Sequence, residues 1–263
     1  MTNISKEAID LIVEFEVSSK AIYEKKYRRP EWPAVQSGVT IGIGYDIGYA
    51  TKAQLWKDWQ GVIPDEMIKS LEIACGVKGQ AAQPLAVSLK SKVDVPWTAA
   101  VKVFENTVLP RWIANVRRAL PNTDKLSPTC LGVLVSLAYN RGASFGQSGA
   151  RYTEMRNIKT HMTNQEFDKI PGEFRKMKRI WPDVPGLQRR REAEAKLFEK
   201  GLKEPRVMST NNAVTVAATA AMGGALAVSQ TTVTYWPYIG AAVAAIAVTA
   251  LAFWLIRKKK NVQ

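Results

Sequence analysis

One histidine and two cysteines in 263 residues leave little room for the commonest catalytic and metal chemistries. Ser-His-Asp catalysis would have to run through His161 alone, and a zinc site would need carboxylates for most of its ligands. Cys75 and Cys130 stand 55 residues apart with no Cys-x-x-Cys spacing, so neither a metal knuckle nor a redox pair is indicated. Both are expected to be reduced and buried, because free cysteine behaves as a small hydrophobe. No cofactor and no metal is therefore expected. A composition of 46% hydrophobic and 23% charged residues excludes disorder and a cysteine-framed miniprotein, and the length suffices for a real core.

Charge is missing altogether between Val207 and Ile256, and Arg257, Lys258, Lys259 and Lys260 follow at once. All 23 acids and the other 33 bases lie in residues 1–206, leaving that part at +10. Within the uncharged run, residues 236–256 are almost entirely apolar, and 21 residues of helix at about 1.5 Å each match the hydrocarbon thickness of a bilayer. Tyr235, Trp236 and Tyr238 at one end, with Trp254 and the basic tetrad at the other, suit interfacial anchors. This segment reads as a transmembrane helix. Residues 213–229, rich in Ala with Gly223 and Gly224, are either a second span or a linker. One span with Arg257–Lys260 inside would put residues 1–206 outside; two spans would put both flanks inside. The opening MTNISKEAID shows no signal-peptide pattern, which favours the hairpin. The expected organisation is a domain over 1–204, a linker over 205–212, a membrane segment over 213–257 and a basic tail over 258–263.

The first 204 residues read as mostly helical. Ile4, Ala8, Ile9, Leu11, Ile12 and Phe15 recur at helical spacing, predicting an amphipathic helix over residues 4–16. Ser127 followed by Pro128 is an N-cap with proline at the first helical position. The segment 131–140 after it is apolar nearly all round, so that helix belongs at the centre of the core. A helix over 97–120 should kink at Pro110, which has no backbone donor. Another over 187–200 carries Glu192 and Lys196 at i,i+4, with Gly201 as its stop.

The chemistry lies between residues 14 and 48. In SGVTIGIGYDIG (37–48), Thr40, Gly42, Gly44 and Asp46 share one parity, and Ile41, Ile43, Tyr45 and Ile47 the other. In an extended strand these sets face opposite ways. One face would pack, and the other would offer a hydroxyl, two bare glycines and a carboxylate to something bulky. The alternative is an ordinary hairpin whose glycines turn the chain and whose Asp46 caps it; a turn at Gly44 would break the shared face. Glu16 ends the preceding helix. Two carboxylates, one at a helix end and one on a facing strand, suit glycosidic hydrolysis without metal or histidine. Glu14 competes, but at about 100° per residue it points roughly 200° away from Glu16.

Several separate stretches resemble the phage lysozyme (endolysin) superfamily of peptidoglycan muramidases, in the right order. FEVSSKAIY (15–23) is similar to its opening helix, GVTIGIGYD (38–46) to its TIGxG hairpin, LVSLAYNRG (134–142) to its buried helix, and residues 181–198 to its closing W…GL..RR..E..LF helix. The resemblance implies an α+β, predominantly helical lysozyme-like fold with a small β-hairpin lobe near the N-terminus. It implies Glu16 as general acid and Thr40 as the hydroxyl that orients water. Many members carry the second acid before the hairpin, where this chain has Lys25. A pesticin-like arrangement places it six residues after the threonine, at Asp46. The stretch YRRPEWPAVQ (27–36) lengthens the loop beside the groove.

A general acid must hold its proton near neutrality, which apolar neighbours such as Phe15 favour. Separation of the carboxylates would distinguish inverting from retaining chemistry. The implied partners are peptidoglycan glycan strands and, through the C-terminal segment, membrane lipid, at the inner membrane of a bacterial host. A basic surface suits anionic murein and phospholipid, and no groove-reading motif supports nucleic acid. The rival readings are a holin-like or anchoring membrane protein with a lysozyme-shaped head that does not cut, and hydrolysis of chitin or another β-1,4 amino sugar.

Overall fold

A computed structural model describes residues 4–34 and 36–204. Two short helices open the chain, α1 (Lys6–Val17) and α2 (Lys20–Lys26), followed by the strands β1 (Thr40–Ile41) and β2 (Tyr45–Asp46). Then come α3 (Lys52–Trp59), α4 (Asp65–Leu71), α5 (Ala82–Leu89), α6 (Trp97–Val103), α7 (Leu109–Ala119) and α8 (Pro128–Arg141). The described part closes with α9 (Thr153–Asn164), α10 (Ile170–Lys176) and α11 (Pro185–Gly201). It is predominantly helical with one small antiparallel sheet, the expected class.

The central helix is the one the sequence marks. Ser127 accepts a hydrogen bond from the Cys130 amide at 3.1 Å, capping α8 ahead of Pro128. Every residue from Thr129 to Ala138 is buried. α1 lies on one side of α8, capped by Ser5 and burying Ala8, Leu11, Ile12 and Val17. The two axes come close because position 132 has no side chain: a Cβ there would stand 2.3 Å from the Ala8 Cβ. α11 packs on another side, where a Cβ at Gly201 would stand 2.8 Å from Cys130 Sγ. Gly201 is thus the last residue of α11 and a contact point; the C-cap is Leu202. Its role is close packing rather than a left-handed stop.

The helix expected over 97–120 is interrupted, but not by a simple proline kink. α6 and α7 are joined by a π turn, Phe104–Val108, one turn before Pro110. A π turn changes the hydrogen-bond register, and here it precedes the residue that has no amide to donate. Phe104 is buried by this turn and meets the Tyr139 ring edge-on at 5.9 Å.

Both cysteines are free; Cys130 is buried and Cys75 half-buried. Burial pushes the Cys130 thiol up to about 11, as expected of an inert core thiol. Among the described residues no helix is long and apolar enough to cross a membrane. The linker 205–212, the stretch 213–229, the span 236–256 and the tail 258–263 lie outside the described residues.

Adding one methyl group at the α1–α8 crossing should be costly, because the neighbouring atom is a Cβ and cannot rotate aside. Gly132→Ala should lower unfolding stability by about 1–3 kcal/mol, measured by urea denaturation, whereas Gly172→Ala, which meets nothing within 4 Å, should not destabilise.

Candidate active site

Glu16 sits on the last turn of α1, with its side chain 18% exposed. Its Oε1 accepts a 2.8 Å hydrogen bond from Arg190 Nη1 on α11. Its Oε2 faces the hairpin: a Cβ at Gly44 would stand 3.1 Å from Oε2 and 3.0 Å from the Tyr139 ring. Only glycine lets the backbone come so near, and its φ of +69° fits glycine as well. Glu14 is exposed and lines a shallow groove with Lys196 and Lys200 on the outer side of α1 and α11. The helical angle thus separates the two glutamates as expected. Two residues on, Ser18 adopts φ 64° and ψ −58°, a γ-turn conformation that is strained for a side-chain-bearing residue.

The hairpin is the alternative form of its sequence, not an unbroken strand. Thr40 pairs with Asp46 and Ile41 with Tyr45, and Gly42, Ile43 and Gly44 make the tip. Gly42 and Gly44 both have positive φ. Ile41, Ile43, Tyr45 and Ile47 are all buried, so the packing set is as expected. Thr40 and Asp46 still share a face, because directly opposed residues of an antiparallel pair project to the same side. Cross-strand pairing, rather than alternation along one strand, brings them together.

Their surroundings differ. Thr40 is half-buried, and its hydroxyl reaches only the Gly38 carbonyl at 3.5 Å. Asp46 Oδ1 accepts from the amides of Gly38 at 3.0 Å and Gly48 at 2.9 Å, and Oδ2 from Gly38 at 3.1 Å. It is the cap of the short turn Ile47–Tyr49. Burial raises its proton affinity above the ordinary aspartate value, opposed by the Gly38 and Gly48 amides and the Lys78 charge. Lys25 is exposed on the last turn of α2.

The 27–36 stretch is tied down at several points. Arg28 grips Asp94 with two bonds of 2.8 and 2.7 Å, and Lys90 pairs with Glu31 at 2.7 Å. Glu31 and Thr40 exchange backbone hydrogen bonds of 3.0 and 2.8 Å, so Thr40 is held on both edges.

Two parts of the site were not read as functional from the sequence. Tyr139 donates to the Ile43 carbonyl at 2.5 Å and fastens the hairpin tip to α8. Burial, reinforced by the Glu16 charge, holds its phenol well above the ordinary tyrosine value. Behind Glu16 lies a closed set of buried charges. Arg190 also approaches Glu194 Oε1 at 3.4 Å and the Ser136 carbonyl at 3.2 Å. Burial pushes the Arg190 guanidinium down, but Glu16 and Glu194 outweigh it and leave it above its ordinary value. Arg190 also lies 5.6 Å from the Phe15 ring, so the expected apolar neighbour of Glu16 carries a cation on its face. The available signal was the i,i+4 spacing of Arg190 and Glu194 on an otherwise amphipathic helix.

Among the described residues no three His, Cys, Asp or Glu side chains are grouped so as to hold a metal ion. His161 lies elsewhere, beside Glu166 at 3.0 Å.

Asp46→Asn can keep Oδ1, which serves both amides, but removes the charge and sets an NH2 where Oδ2 accepts from Gly38; Asp46→Ala removes the cap. D46A should cost about 1–3 kcal/mol of stability, and D46N should cost less than D46A at neutral pH. Because the folded-state proton affinity of Asp46 is raised, its contribution is full below the ordinary aspartate range and is lost as pH rises through the raised value. The stability of the wild type relative to D46N should therefore fall across that interval, as followed by thermal melts.

A family model described as a domain of unknown function, DUF8812, matches residues 13–192. No curated protein matches the chain.

Proposed function

The chain belongs to the DUF8812 family, and we propose that this member is a peptidoglycan hydrolase that cleaves the β-1,4 glycosidic bond by carboxylate acid catalysis. One observation carries the reading: a half-buried helix-end carboxylate with one oxygen fixed by a buried arginine and the other turned to a glycine hairpin tip. Glu16 is the proton donor to the leaving oxygen. An acid in this role must be aimed as well as protonated, and Arg190 supplies the aim. The open hydroxyl of Thr40 orients the attacking water. Asp46, on the same face of the hairpin, supports the positive charge that develops at the sugar carbon. The resemblance of four ordered motifs to phage lysozymes supports murein glycan as the substrate, and the +10 charge of residues 1–206 suits an anionic polymer. On this reading the apolar segment 236–256 holds the enzyme at the membrane.

A second reading is favoured by a specific observation: both oxygens of Asp46 are engaged by backbone amides. A head retained for its shape, on a membrane-anchoring protein, would need Asp46 only as a cap.

Full-length Glu16→Gln, assayed by clearing of purified cell walls, should lose at least about 100-fold in rate. Near-normal clearing would remove Glu16 from the acid role, and a wild-type chain that leaves walls intact at every pH would favour the non-cutting head.

A further inference from the structure

Glu194 is the most deeply enclosed carboxylate of the buried set, with no exposed side-chain surface. Three groups converge on its Oε1: Ser136 Oγ at 2.8 Å, Arg191 Nη2 at 2.9 Å and Arg190 Nε at 3.4 Å. Arg191 Nε lies 2.8 Å from Oε2 as an ion pair without hydrogen-bond geometry. Arg191 is itself fully buried, and burial brings its guanidinium down to about 10. Arg190 is divided between two carboxylates, Nη1 on Glu16 and Nε on Glu194.

This division matters when Glu16 takes up a proton. A neutral Glu16 no longer balances Arg190, and an unpaired buried cation is strongly disfavoured. Glu194 reduces that penalty, because Arg190 keeps a carboxylate partner, shared with Arg191, in both protonation states. Without the Glu194 charge, a proton on Glu16 would leave two buried arginines facing no anion.

We infer that Glu194 is a positioning residue that sets the proton affinity of Glu16 through Arg190, and so sets the pH range in which the acid is loaded. The inference rests on Glu16 as the proton donor proposed above. The charged and titratable groups that face Glu16 or its partner are Arg190, Arg191 and Glu194 from α11 and Tyr139 from α8. Arg111 on α7 acts on Tyr139 at longer range. The hairpin tip contributes backbone from Ile43 and Gly44.

The two arms of the network give opposite signs. In full-length Glu194→Gln the alkaline limb of the pH–rate profile should move down by about 1 pH unit or more, as expected when one nearby compensating charge is removed. In Arg191→Met, Glu194 is released wholly to Arg190 and a cation is lost, so the limb should move up. Glu194→Asp keeps the charge and should return the profile toward the wild type. Rates are read as reducing-end release from murein, and the Glu16 carboxyl is titrated in parallel by carbon-13 NMR. A purely structural role would lower the melting temperature of both variants and leave the midpoints alone. Folded E194Q and R191M with unchanged midpoints, or with shifts of the same sign, would overturn the inference. Should E194Q fail to fold, the upward shift in R191M decides. If the wild type releases no sugar at any pH, the hydrolase reading fails while the NMR midpoints still decide the linkage.

Discussion

The contact on which the rest of the site depends is the 2.8 Å bond between Arg190 and Glu16. It joins residues 174 positions apart, from the first and last helices described, across a core organised by α8. A guanidinium with 3% of its side chain exposed cannot stay charged there without anions, and breaking such a pair typically costs about 3–5 kcal/mol. The surrounding packing is arranged to permit it. Gly132 lets α1 close on α8, and Gly201 lets α11 do the same from another side. Bulk at either point would push one partner of the ion pair away from the other.

The hairpin is subordinate to the same contact. Its tip can reach Glu16 only because Gly44 presents backbone, and Tyr139 keeps it there through the Ile43 carbonyl. Trp112 packs on the same tyrosine at 5.6 Å, so the large aromatic groups lie on the helical side of the hairpin tip. From the outside, Glu31 pairs with Thr40 and is itself held by Lys90. The long 27–36 loop therefore acts as a brace on the strand that carries the hydroxyl.

How much of this was legible in the sequence depended on whether the determinant was local. The Ser127–Pro128 cap, the all-round apolar segment after it and the amphipathic first helix are local signals, and each is present in the structure. The angular separation of Glu14 from Glu16 follows from helix geometry alone. The hairpin was half legible. Alternation identified the buried isoleucines, but two glycines of positive φ turn the chain where an extended strand would continue. The π turn before Pro110 was not legible, since proline predicts a break without saying how the register is repaired. The Arg190–Glu194 spacing is visible as an i,i+4 pair, yet such pairs are usually solvated. Nothing local says that this one is buried, because burial comes from α1 and α8, encoded far away in the chain.

The structural duty of Asp46 does not use up its carboxylate. An ionised carboxylate has about four acceptor positions, and the Gly38 and Gly48 amides use three contacts, two of them on Oδ1. One acceptor direction on Oδ2 is left unused by these amides. The same amides that hold the cap also fix where that direction points, which a freely rotating side chain would not achieve. They also oppose the effect of burial and favour the charged form. The amides hold the carboxylate in one orientation, while burial outweighs them and leaves its proton affinity above the ordinary aspartate value. The cost is confined to the hairpin: a Cβ at Gly38 would stand 2.5 Å from the Gly48 backbone and 2.6 Å from Asp46 Oδ1, so the two amides can converge on one carboxylate only while position 38 is bare.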